Sequence, residues 1–346
     1  MVRKIKDRKE FFSLLQSVSE SNRNYYSKYG NWNFPQIKVF WIEVNEPFFQ
    51  NVINSINPKL LSKDFYECVF DEDFYWIDTS EKRIWQIFTF AKTNNANRTI
   101  RNNFTNLKGV DRIWLTETFM KKIQKEMNYT NRGFGIHFKD ILSIEEPKSD
   151  FSAKLWIGKS YTASQEKLLK VANETFAVSS IRFGINPSQD SSSLSGKLYE
   201  LYFRGHMTVT TCDDLEDLFT LLKFIRTTYK NEIGMLEKEC SKKPNFIEIQ
   251  FSESINSDGF ELMTKLGQGD MKLWLQSYKK ESDISRYCGV DLHTGDFIQI
   301  DLADDYSYLA AEKNACMNVA PRFGTVASRY LTSNSKIIFD GVEMFA

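Results

Sequence analysis

The amino-acid sequence predicts an α+β fold: a mixed N-terminal region followed by two topologically similar β-α-β-β-β-α units. Three observations carry that expectation. Short runs rich in aromatic and β-branched residues, such as IKVFWIEV, lie between turn residues and read as strands. Apolar residues recur at helical spacing in EFFSLLQSV and, at greater length, from Leu215 to Leu236. Beyond Pro147 one order of elements runs once and then repeats.

Taken in order, MVRKIKDRKEFFSLLQSV is basic at first but has no long apolar run, so an amphipathic helix is expected rather than a signal peptide. SNRNYYSKYGNWNFPQ, with Gly30 and Pro35, reads as a loop, and IKVFWIEV as a buried strand. In DFYWIDTSEKRIWQIFTFAK two aromatic runs enclose a polar turn, which predicts a hairpin; its aromatics fall on both faces, so core is the expected role. A short helix around Arg98–Leu107, a strand DRIWLT, a helix from near Thr116 and a strand RGFGIHFKDIL follow. EEPKSD then marks a boundary.

The domains expected from this are 1–148, 149–244 and 245–346. In the second, FSAKLWIGK is a strand, Thr162 to Phe176 a helix, AVSSIRFGI a strand and NPSQDSSSLSG a loop. In KLYELYFRGHMTVTT, Arg204-Gly205 at the centre of a tight turn would place Tyr202 opposite Met207, leaving His206 on a face with Tyr199, Thr208 and Thr210. One residue of slip would exchange the faces. Asp213-x-x-Glu216 reads as the capping box of a long helix whose apolar stripe runs Leu215, Leu218, Leu222, Ile225, Tyr229, Ile233 and Leu236. The third domain repeats the order with strand NFIEIQFS, helix INSDGFELMTKLG, strand MKLWLQSY, hairpin YCGVDLHTGDFIQIDL and a helical ending, SYLAAEKNACMNVAPRFGTVASRYL, broken by Pro321 and Gly324.

In element order alone, residues 151–332 resemble the half-saddle of TATA-binding proteins. That resemblance implies a concave sheet that grips a partner, DNA included. It carries no functional residue across, because the repeated part is acidic and offers no assignable Phe pair as a DNA wedge.

Charge is balanced overall, at 45 Lys/Arg against 45 Asp/Glu, yet unevenly placed. Residues 1–130 hold 20 Lys/Arg against 15 Asp/Glu, and residues 150–346 hold 22 against 27. Any polyanion would therefore meet the first part, where Arg98, Arg101, Lys108 and Arg112 form the candidate nucleic-acid surface. A charge run is ordinarily just a solvated face, and that is the bland reading here. The five scattered cysteines, never in C-x-x-C spacing, fit a reducing, cytoplasmic setting and speak against a structural zinc site. No stretch is apolar enough to span a membrane as a helix.

Chemistry concentrates in one place. If Thr294-Gly295 is a tight turn, Asp291 and His293 share a strand face with Asp296 opposite, which are the ingredients of a divalent-metal site or an acid/base pair. H-T-G-D is equally good turn chemistry, so a structural role is the stronger expectation. Gly267-Gln268-Gly269 lacks the rest of a phosphate loop, and no cofactor is expected. The leading functional expectation is a non-enzymatic cytoplasmic binding protein that recognises a nucleic acid or a partner protein through the basic region. A metal-dependent hydrolase or nuclease using Asp291, His293 and Asp296, and a protein-interaction scaffold, are the alternatives.

Overall fold

The computed structural model describes residues 5–29, 36–139, 150–156, 167, 177–184, 196–242, 246–252, 254, 269–280, 284–330 and 334–346. Within them the elements are α1 (Arg8–Tyr29), β1 (Ile37–Val44), α2 (Phe49–Ile56), β2 (Lys59–Ser62), β3 (Phe65–Phe70), β4 (Asp73–Asp78), β5 (Ile84–Thr89), α3 (Thr93–Ile100), β6 (Val110–Arg112), α4 (Glu117–Glu126), β7 (Thr130–Lys139), β8 (Asp150–Trp156) and β9 (Val178–Gly184). They continue with β10 (Leu198–Tyr202), β11 (His206–Thr211), α5 (Leu215–Lys242), β12 (Ile247–Phe251), β13 (Leu273–Lys280), β14 (Ser285–Asp291), β15 (Phe297–Leu302), β16 (Tyr306–Ala311), α6 (Val319–Tyr330), β17 (Ser335–Phe339) and β18 (Val342–Met344). Helices combine with antiparallel sheets, so the fold is α+β.

The chain enters two compact units more than once: the first holds Met1–Ile113, Gln124–Arg132 and Arg182–Thr227, the second Trp114–Ile123, Gly133–Ile181 and Thr228–Ala346. In the first, an antiparallel sheet runs β2-β3-β4-β5-β1-β11-β10, with β6 pairing the far end of β1. All eight residues of β1 are buried because both faces are covered. On one face Phe11 of α1 lies 5.2 Å, ring to ring, from Phe65, Trp76 and Phe88, and Phe88 meets Phe219 of α5. On the other, Phe40, Ile42, Tyr75, Ile77 and Trp85 pack with Val52 and Ile56 of α2 and with Ala96 and Ile100 of α3. The expected β4–β5 hairpin, buried on both sides, forms with Trp76 opposite Phe88.

The second sheet runs β13-β14-β15-β16-β12-β17-β18 and is also antiparallel. Its burial alternates: β14 reads buried, half-buried, buried along all seven residues. Ile247, Ile249, Ile298, Ile300, Leu309 and Ile337 form the inner face, on which α6 packs. Gly324 sits where a Cβ would lie 3.4 Å from Ile337, so the small residue lets helix and sheet approach closely.

Several expectations are corrected. Helix α1 runs on to Tyr29 through a polar segment expected to be a loop. The mixed segment between Pro47 and Pro58 holds helix α2, and β2 and β3 follow it. The segment after α3 continues as one π-helical turn over Arg101–Thr105. The N–H of Glu216 donates to Asp214 rather than Asp213; the stripe of α5 is buried as expected from Leu218 to Leu236, while Leu215 is only half-buried. SYLAA forms strand β16, and Pro321 leaves α6 unbroken, because it sits in the first turn where its missing N–H has no intrahelical partner to lose. A further hairpin, β17–β18, turns at Asp340-Gly341. The helices expected over 162–176 and 255–267, and the boundary at Pro147, lie outside the described residues apart from Lys167.

The β10–β11 register differs from the expected one by one residue. Tyr202 faces His206, and Leu201 faces Met207, because Phe203, Arg204 and Gly205 make a three-residue loop with Gly205 at φ +61°. His206 therefore shares a face with Tyr202, Glu200 and Thr208, and Tyr199 lies on the opposite one.

Candidate functional site

The outer face of the second sheet carries side chains that are not committed to a core. Cross-strand pairing sets Trp274, Val290 and Phe297 in one row, Gln276, Cys288 and Gln299 in the next, and Arg286, Asp301, Tyr308 and Glu248 in a third. Trp274 is 55% exposed, Phe297 50% and Phe246 56%, too much apolar surface for residues whose business is packing. Phe246 lies 6.0 Å from the Tyr308 ring, and Tyr306 4.9 Å from it. Among the described residues charge on this face is balanced: Lys279, Arg286 and Lys336 are matched by Glu248, Asp301 and Glu343. Arg286 pairs Asp301 at 3.4 Å and Lys336 pairs Glu343 at 3.3 Å. The aromatic and polar residues of these strands are visible in the sequence, but which of them face outward is not.

The four candidate nucleic-acid residues lie in the first unit and do not all reach solvent. Arg98, at the end of α3, pairs loosely with Asp71 at 3.2 Å, both exposed. Arg101 opens the π turn, and the Lys108 ammonium lies 5.5 Å from the Phe48 ring centre. Arg112 is buried in β6, opposite Ile42, and leaves the candidate surface.

At the β14–β15 connection the loop is wider than a two-residue turn. The N–H of Asp291 donates to the carbonyl of Asp296, so Asp296 opposes Asp291 and not His293. The Asp291 carboxylate accepts the N–H of His293, which starts the turn early. Far from projecting into solvent, Asp291 and His293 are each 1% exposed. Asp291 Oδ1 pairs with the wholly buried Arg322 at 2.6 Å, and Asp296 Oδ2 accepts from Thr294 at 2.6 Å and from the N–H of Cys316 at 2.8 Å. The structure thus puts Asp291, His293 and Asp296 in one loop but turns the two carboxylates to separate partners. Arg322 and Cys316, distant in sequence, were not foreseen there.

A second buried polar row crosses the first sheet through Thr89, Lys38, Thr208 and Glu200. Burial pushes Lys38 down to about 8, against an opposing pull from Asp73. His206, one row along, is stacked between Phe40 and Tyr202, with ring centres 5.2 and 4.2 Å away. Lys38 sits in a strand that is apolar apart from it and Glu43, so only its charge could have marked it.

Among the described residues no helix is long and apolar enough to cross a membrane. The chain is 20% identical to an uncharacterized protein of Methanocaldococcus jannaschii, MJECL33, over 79% of this chain and 83% of that one. A family model described as MJECL33-like protein matches residues 1–343, so the chain belongs to the MJECL33-like protein family.

Proposed function

We propose that this chain is a binding protein whose working surface is the outer face of the second sheet, and that its partner is another protein. The observation that supports this is the exposed set Trp274, Phe297, Phe246 and Tyr308 on a charge-balanced, amide-bearing sheet face. Aromatic residues with few net charges are the composition of a protein-interface centre. A polyanion needs a surplus of cations that this face lacks among the described residues. The hydrolase alternative draws less support from the geometry, since Asp291 and Asp296 are engaged by Arg322 and by the Cys316 N–H.

The test places a photo-crosslinking amino acid at Tyr308 and, as control, at the exposed Val69 of the first unit. A protein captured at Tyr308 alone is then purified and titrated against the chain. Trp274→Ala with Phe297→Ala is expected to weaken binding by at least about tenfold without shifting the melting temperature. Equal capture from both positions, or an unchanged titration, ends this reading; a nuclease-sensitive adduct reassigns the face to nucleic acid.

A second reading, polyanion binding through Arg98, Arg101 and Lys108, is favoured by a separate observation, their grouping around a π turn, an irregularity that recurs at functional sites. Arg98→Ala with Arg101→Ala should then reduce the slope of log affinity against log salt by about 0.7–0.9 per lost phosphate contact. No binding of single- or double-stranded nucleic acid at low salt removes it.

A further inference from the structure

The loop between β14 and β15 holds an arrangement that packing alone does not explain. His293 is 1% exposed, and neither ring nitrogen has a hydrogen-bond partner among the described residues. An imidazole always carries at least one N–H and, when neutral, one lone pair, and burying both unmet is costly and rare. Oδ2 of Asp291, two residues earlier in the same loop, is likewise buried without a partner. The stretch between β16 and α6 brings Cys316, 4% exposed, so that its Sγ and a His293 ring nitrogen lie within 4.8 Å of each other.

We propose that His293 and Cys316 hold a soft, thiophilic metal ion. A metal–nitrogen bond of about 2.0–2.1 Å and a metal–sulfur bond of about 2.3 Å bridge atoms up to about 4.4 Å apart, so a small adjustment within the observed limit seats the ion. Binding uses the lone pair of one ring nitrogen and displaces the Cys316 thiol proton to solvent, leaving a thiolate on the metal. The second ring N–H then needs an acceptor, and Asp291 Oδ2 is the unmet acceptor of the same loop, as in the carboxylate–histidine–metal triads that fix a ligand's tautomer. Thiolate ligands select copper(I) and zinc, and imidazole suits both, so these are the candidate ions. The site shares no residue with the proposed partner surface, and either stands without the other.

The test titrates the metal-free full chain under anaerobic conditions with copper(I), delivered in competition with a chromophoric chelator, and separately with zinc. One equivalent should bind, raise the melting temperature and add a near-ultraviolet thiolate-to-metal band. X-ray absorption of the unaltered chain should show sulfur and imidazole nitrogen in the first shell, a readout independent of whether any variant folds. Cys316→Ser and His293→Gln should each weaken binding by at least about tenfold, with Cys288→Ser as the unaffected control. Zinc bound with the same residue dependence supports the site and identifies the ion. Failure of both metals to bind, a first shell without nitrogen, or undiminished binding by Cys316→Ser and His293→Gln overturns it.

Discussion

The two sheets use the same aromatic vocabulary to opposite ends. In the first, Trp41, Trp76 and Trp85 are wholly buried, and the central strand has no outward residue at all. In the second, alternate residues face out, and there Trp274 and Phe297 are half exposed. The difference follows from cover. Helices close both faces of the first sheet, so its strands read as continuous apolar runs; helix cover on one face of the second requires alternation. An aromatic-rich strand therefore says little until its phase is known, which is why a core reading suits DFYWIDTSEKRIWQIFTF and misleads for MKLWLQSY.

The sharpest way to break this contrast is to truncate one tryptophan from each sheet. Trp85→Ala should cost ~3–5 kcal/mol in urea unfolding, because it opens a cavity beneath α2. Trp274→Ala should stay within about 0.5 kcal/mol. Comparable losses from the two would mean the outer face is a covered core.

Ion pairs give a parallel comparison. Arg322→Met leaves Asp291 buried and unpaired and should cost ~3–5 kcal/mol, whereas Arg98→Ala, on a pair open to solvent, should cost no more than about 1 kcal/mol. Similar values for both would show that Arg322 is better hydrated than its burial implies.

Lys38 tests the first sheet from the side of pH. Its folded pKa, pushed down to about 8 from an ordinary 10.5, means that below about pH 8 both folded and unfolded states are protonated and the fold bears the full penalty of a buried charge. Between about 8 and 10.5 the unfolded state binds more protons, so stability rises with pH. Lys38→Met should therefore add up to ~3 kcal/mol at pH 7, a gain that fades as pH approaches 10.5. A gain of equal size at both ends would place its cause in packing.

Much of the fold was legible from local pattern. The stripe of α5, the continuous β1 and the β4–β5 hairpin needed only periodicity and turn residues. Register was not legible: whether Arg204-Gly205 belongs to a two- or three-residue loop depends on how β11 meets β1, with Phe40 opposite His206 and Lys38 opposite Thr208. Pro321 misled because its effect depends on position within the helix, which residue identity does not state. Of the candidate site, Asp291 and His293 could be singled out by chemistry, but their partners Arg322 and Cys316 arrive from a later helix and the turn before it. Only tertiary structure reveals that Asp291 is committed to a guanidinium and that the His293 ring is buried with no hydrogen-bond partner among the described residues.

The strand order of the second sheet also has a kinetic consequence. Strands β13 to β16 form a meander in which each pairs with its sequence neighbour, while β12, first in the chain, lies between β16 and β17. Its ladders close only after two long loops are drawn together, an entropic toll that local hairpins escape. The meander should therefore assemble first and β12 dock late. Ile249→Val in β12 is then expected to speed unfolding while leaving the refolding rate nearly unchanged, and Ile300→Val in β15 to slow refolding.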